Sequence, residues 1–182
     1  MTILTTLRFF PDEKSRKYCY VIPVVKGGKY LVRTTYYYGD FDGKKEPPVF
    51  DQIIDGTKWS TVNTTEDFAK GSSSYYEIIV VTPGKQMSVC LARNEHTVSS
   101  PFISGLEVET LEDSMYNSTD FEKSALISVA RNSFGNTNGD IITIVKKWFM
   151  NGLGSVGVVK GLDVSVITTK EGKRSLANAY LA

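Results

Sequence analysis

Histidine, cysteine and surplus charge are all scarce in this sequence, and each scarcity narrows what the chain can do. There is one histidine, His96, in 182 residues. It sits in a polar stretch between Glu95 and Thr97, and no serine or cysteine lies in a recognisable nucleophile elbow. A catalytic triad therefore has no support, and the reading is of a chain that is not an enzyme. There are two cysteines, Cys19 and Cys90. That number excludes a disulfide scaffold but allows one bridge. Neither sign of charge dominates, because Lys+Arg 21 against Asp+Glu 20 leaves +1. A broad pull toward nucleic acid or anionic lipid is thereby excluded. No run of about twenty apolar residues is present, so no transmembrane helix is encoded in this stretch. The opening Met1-Thr2-Ile3-Leu4-Thr5-Thr6 lacks a basic region and a long apolar segment before Arg8. No signal peptide is expected in this chain.

Aromatic and β-branched residues are plentiful by contrast, and they recur in short runs between turn signals. That spacing predicts an all-β sandwich. Tyr18–Val25 reads as a strand, Gly27-Gly28 as a two-residue hairpin turn, and Tyr30–Tyr38 as the return strand. Val49–Ile54 and Lys58–Val62 are strands joined at Asp55-Gly56, a tight-turn pair. Tyr75–Val81, Gln86–Arg93 and Phe102–Leu111 complete the block, with Thr64–Ser74 left as a polar loop. The expected core is Val32, Phe50, Trp59, Ile78, Val80, Val89, Leu91, Phe102 and Leu106. Glu112–Lys123 reads as a linker and Ala125–Arg131 as the start of a further strand. Beyond Thr143 the pattern weakens, which predicts an irregular tail over 143–182 with a short helix within Lys170–Ala182.

Some motifs lose their chemistry to context. Gly152-Leu153-Gly154-Ser155-Val156-Gly157-Val158-Val159 fits the letters of a kinase glycine-rich loop. No Val-Ala-Ile-Lys strand follows it, and Lys160–Ala182 is too short to hold a catalytic loop. Asp40 and Asp42 stand two residues apart in a turn. Paired carboxylates serve glycoside hydrolysis, but aspartates so placed more often bond nearby backbone amides. The same Asp40-Phe41-Asp42-Gly43 stretch lacks the remaining oxygen ligands of a calcium loop. No cofactor and no metal site are implied.

The ordered series Thr6-Leu7-Arg8-Phe9-Phe10-Pro11, Tyr18-Cys19-Tyr20, Gly28-Lys29-Tyr30-Leu31-Val32-Arg33 and Tyr38-Gly39-Asp40-Phe41-Asp42-Gly43 carries a resemblance. It continues through Pro48-Val49-Phe50-Asp51, Trp59-Ser60-Thr61-Val62, Val89-Cys90-Leu91 and Pro101-Phe102-Ile103-Ser104. Together these resemble the malectin-like extracellular region of plant leucine-rich-repeat receptor kinases, most of all the symbiosis-receptor-like branch. The resemblance implies a malectin-type, jelly-roll-like β-sandwich over 1–111, the first of a tandem pair with its opening strands missing. It implies a linker over 112–123, the opening of a second unit over 124–142 and a divergent tail over 143–182. The implied setting is the outer side of the plasma membrane. The implied role is recognition of a cell-wall saccharide or a peptide, with a co-receptor as a further partner and no nucleic acid. The alternative is an interaction or structural fragment that keeps no small-ligand site.

Candidate site residues follow from this reading. Tyr36 and Tyr38 share one strand face, and Asp40 and Asp42 follow directly in the loop. Aromatic faces stack on sugars, and carboxylates accept hydrogen bonds from sugar hydroxyls. Packing for the tyrosines and turn formation for the aspartates remain open beside the ligand reading. Asn63-Thr64-Thr65 and Asn117-Ser118-Thr119 are glycosylation sequons in polar stretches. Cys19 and Cys90 fit either one bridge in an oxidising compartment or two buried thiols.

Overall fold

The computed structural model describes residues 2–11, 14–134, 162–169 and 174–177, with no side-chain detail beyond 128. After a 3-10 turn at Thr2–Thr5 come β1 (Arg8–Phe9), β2 (Lys17–Pro23), β3 (Lys29–Tyr36), β4 (Val49–Ile54) and β5 (Thr57–Asn63). A short helix α1 (Thr65–Ala69) precedes β6 (Ser74–Val81), β7 (Gln86–Arg93), β8 (Phe102–Ile103) and β9 (Gly105–Leu111). The last strands are β10 (Leu126–Phe134), β11 (Leu162–Thr169) and β12 (Arg174–Ala177). They form a six-stranded sheet, β12-β11-β10-β6-β3-β9, a four-stranded sheet, β2-β7-β4-β5, and a small β1-β8 pair. The described pairings are all antiparallel.

The two large sheets face each other because their strands alternate. Val32 and Ile78 of the six-stranded sheet pack with Ile54, Trp59, Met87 and Val89 of the other. Phe50, Val62, Leu91 and Phe102 form an aromatic-rich second half of the core with Tyr36 and Tyr38. Of the expected core, Val32, Phe50, Trp59, Ile78, Val89, Leu91 and Phe102 are buried. Val80 and Leu106 are half-buried against it.

The structure corrects several local expectations. Gly27-Gly28 does not close a hairpin, because β2 and β3 lie in different sheets. The chain turns at Gly27, whose φ is 77°, and crosses between sheets. The crossing is pinned by Thr82, whose Oγ1 donates to the Val25 carbonyl at 2.9 Å and whose N–H donates to the Gly28 carbonyl at 3.0 Å. A glycine pair supplies the positive φ that either a hairpin or a crossing needs, so the local signal is the same. Asp55-Gly56 does make the expected hairpin, with φ of 45° and 81°. Within 124–142, expected to open a second unit, β10 pairs with β6 through Leu126↔Ile79 and Ile127↔Ile78. Leu162–Thr169 and Arg174–Ala177 are strands, in place of an irregular tail and a terminal helix. The β-branched Val164, Val166, Ile167, Thr168 and Thr169 favour that outcome. The glycine-rich Gly152–Val159 stretch lies outside the described residues.

The segment 112–123 is a run of turns laid across the outer face of the six-stranded sheet. Its Tyr116 and Phe121 pack on Leu31, Ile79 and Leu126. Lys29 fastens it: the buried ammonium donates to the Asp113 carbonyl at 3.0 Å and to the Met115 carbonyl, and sits 5.1 Å from the Phe121 ring centre. On the outer face of the other sheet, Cys19 and Cys90 stand directly opposite each other on β2 and β7 and are joined as a disulfide, with Cα atoms 4.0 Å apart.

Candidate functional site

Strand β3 ends at one rim of the sandwich, and the loop that leaves it holds all four candidate ligand residues. Alternation sends Tyr36 and Tyr38 inward. Tyr36 is 0% exposed. Its ring packs edge-on against Phe50, Tyr76 and Phe102, and its hydroxyl donates to Gln52 Oε1 at 2.9 Å. Burial pushes this phenol far above its ordinary range. Tyr36 is thus a core residue and offers no face to a ligand, which corrects its place in the candidate site.

Tyr38 is 3% exposed and lies among Phe41, Phe68 and Phe102, with ring centres 5.4, 5.1 and 6.0 Å away. Its hydroxyl donates to Asp42 Oδ1 at 2.6 Å and approaches Asp40 Oδ1 at 3.3 Å. Burial, and then the hydrogen bond to the Asp42 carboxylate, push the phenol well above its usual value. Asp42 Oδ2 accepts the Ser99 hydroxyl, tying the 39–48 loop to the 94–101 loop. Burial works to raise the Asp42 pKa, but the hydrogen bonds from Ser99 and Tyr38 outweigh it, and the carboxyl titrates below the usual range. Asp40 adopts a positive φ of 57°. Its Oδ1 accepts the Lys45 N–H at 2.8 Å, and its carbonyl accepts the Gly43 N–H at 3.1 Å. Through these bonds the two carboxylates organise the loop.

Stability therefore depends on Asp42. Asp42→Ala removes the charged acceptor of two hydroxyls and is expected to cost about 2 kcal/mol. In a chain of this size that lowers the melting temperature by about 4–8 °C. Because the folded pKa lies below the unfolded value of about 4, this contribution is fully present above that pH and is lost as pH falls through the folded pKa. Thermal unfolding of both proteins at pH 7 and pH 2.5 checks it; the gap should shrink at low pH.

Sequence reasoning passed over the residues this rim does expose. Phe9 is 47% exposed and lies 5.2 Å from the half-buried Phe41 ring. Arg8, beside it, is exposed and reaches over the rings of Phe10 and Tyr20 at 5.4 and 5.7 Å. Val98, 61% exposed, belongs to the neighbouring loop. The pairing of β1 with β8, Phe9↔Phe102, brings the N-terminal aromatics to this end, a contact between segments far apart in sequence. His96 is exposed, its Nε2 3.4 Å from Glu95 Oε1, and touches none of these residues in the described contacts. Among the described residues no helix is long and apolar enough to cross a membrane.

Comparison with known proteins agrees with the fold. The family described as Malectin-like domain matches residues 1–146. An Arabidopsis thaliana protein, At1g24485, is 45% identical over 117 residues, 62% of this chain and 22% of that protein. The Arabidopsis thaliana probable LRR receptor-like serine/threonine-protein kinase At1g67720 is 36% identical over 138 residues, 74% of this chain and 14% of the kinase. The chain thus spans less than a quarter of the length of these curated relatives. The crystal structure of the ANX1 ectodomain from Arabidopsis thaliana superposes with a TM-score of 0.58 at 16% identity, covering 71% of this chain and 36% of that one. A crystal structure of the plant peptide RALF23 in complex with FER and LLG2 gives a TM-score of 0.54 at 18% identity, covering 71% and 37%.

Proposed function

The chain belongs to the malectin-like domain family, and we propose on that premise that it is an extracellular recognition module of a receptor-like kinase, binding a peptide through its aromatic rim. The observation that carries the reading is the division of labour at the β3 end. Tyr36, Tyr38 and Asp42 are committed inward, so the aromatic and carboxylate groups a saccharide cradle needs are engaged with one another. The accessible chemistry is instead an apolar pair, the exposed Phe9 ring 5.2 Å from that of Phe41. An exposed aromatic anchor suits peptide side chains. The RALF23 complex of a fold relative supports a peptide class.

The test is calorimetric titration of the full chain with RALF23 and, separately, with a short cell-wall oligosaccharide. Peptide binding weakened about tenfold or more by Phe9→Ala, a substitution at an exposed ring, is the expected result. Oligosaccharide binding that depends on Phe9 would instead restore the saccharide reading for this rim. Binding of neither by the folded chain would leave the alternative of a structural fragment without a small-ligand site.

The same extracellular reading proposes N-glycans at Asn63 and Asn117, both exposed. Asn63 ends β5 and its Oδ1 accepts the Thr65 N–H at 3.0 Å; Asn117 sits in the turns over the six-stranded sheet. Protein secreted from plant cells should gain mobility on a gel after glycosidase treatment, in two steps removed singly by Asn63→Gln and Asn117→Gln.

A further inference from the structure

We propose that Cys19 is a thiol-exchange site: a small thiol of the glutathione class attacks its sulfur, opens the bond to Cys90 and leaves a mixed disulfide on β2. The attacking thiolate has to reach one of the two sulfurs from outside, and access selects which. Cys19 is exposed and stands on β2, an edge strand of the four-stranded sheet among the described residues. Cys90 is 2% exposed and stands on β7, between β2 and β4. Ile53 of β4 lies directly opposite Cys90, on the side away from Cys19. Val21, next to Cys19 on the outward face of β2, is 59% exposed, so this stretch of the strand is uncovered. Exposed disulfides are the ones that exchange with thiols, whereas enclosed ones resist them.

The step balances as an exchange. The thiolate forms a bond to Cys19 Sγ, the bond to Cys90 Sγ breaks, and Cys90 leaves as a thiolate that takes a proton from water. The product carries the small thiol on Cys19, a reversible cap, and a free thiol on Cys90. A second molecule of the small thiol removes the cap as its own disulfide and leaves two cysteine thiols. Strand β2 is placed to register the change. Once the cross-link is open it keeps only its ladder with β7 among the described residues. Tyr18 and Tyr20, on either side of Cys19, hold Phe10, with ring centres 4.5 and 6.4 Å away. Phe10 follows the exposed Phe9 in the chain, so opening the bond loosens 8–10 together with β2. The exchange does not depend on whether the rim takes a peptide.

The experiment treats the full chain with reduced glutathione, quenches with acid, labels free thiols with N-ethylmaleimide and maps both groups by mass spectrometry. The folded chain should give glutathione on Cys19 and the maleimide on Cys90, exceeding the reverse species about tenfold or more, since access sets the rate. The same chain in urea, where both sulfurs are open, should give the two adducts in comparable amounts. Comparable amounts from the folded chain would overturn the proposal, because the reaction would then run through unfolding. So would an excess of adduct on Cys90, or a folded chain that forms no adduct where the urea-treated chain reacts fully. Hydrogen exchange of the Cys19 adduct should be faster than the parent's over 8–10 and 17–22, and unchanged over β4 and β5. Protection over 8–10 equal to the parent's would overturn the coupling of the bond to that segment. Equal acceleration over β4 and β5 would overturn it too, since the chain would then be opening as a whole.

Discussion

Phe102→Ala is expected to destabilise the chain by about 3–5 kcal/mol, the range for removing a large aromatic side chain from a core. Phe102 is 0% exposed, and its ring lies 5.3–6.1 Å from those of Phe41, Tyr38, Tyr36 and Phe50. Truncation loses the burial of one ring and leaves its neighbours facing a cavity, since packed interiors relax only partly. Two of those neighbours, Tyr38 and Phe41, support the 39–48 loop, so the damage reaches the rim. Urea denaturation should show the midpoint falling, and a marginally stable domain loses a large share of its total stability. Phe102→Leu, which keeps most of the volume, should cost less than half as much. A loss below about 1 kcal/mol for the alanine variant would show that the aromatic half of the core does not carry the fold.

Reducing the Cys19–Cys90 bond is the second large effect. The bond joins residues separated by 71 in sequence, and closing a loop of that length lowers the entropy of the unfolded chain by about 4 kcal/mol in the chain-entropy picture. It spans β2, an edge strand, and β7, its neighbour. Cys19→Ser with Cys90→Ser is therefore expected to lower the denaturation midpoint strongly and to let β2 exchange its amides faster than β7. Dithiothreitol should act on the parent as the substitutions do, and should leave the double variant unchanged. A parent whose midpoint ignores the reductant would refute the contribution. The expected dependence also ties folding to place, because such bonds persist in oxidising compartments such as the outside of the cell.

Which features were legible in the sequence depended on how far the deciding interaction reached along the chain. The strand alternation of Tyr30–Tyr36, the Asp55-Gly56 hairpin and most of the expected core followed from period-two patterning and turn chemistry, which act within a few residues. The turn role of Asp40 was legible for the same reason, since its acceptor lies five residues from the Lys45 amide it holds. Gly27-Gly28 was not, because hairpin and inter-sheet crossing ask the same of a glycine locally, and Thr82 decides between them from the far end of β6.

The sequence by itself determined an all-β sandwich and the family resemblance. These rest on composition, local periodicity and the order of motifs. Tertiary structure alone decided that Cys19 and Cys90 pair, because only the β2–β7 register sets them face to face. It alone turned Tyr36 from a ligand candidate into core, by closing Phe50 and Phe102 over it from separate strands. It alone left Phe9 and Tyr75 exposed, because exposure is a property of what the rest of the chain does or does not cover, and no local pattern records that.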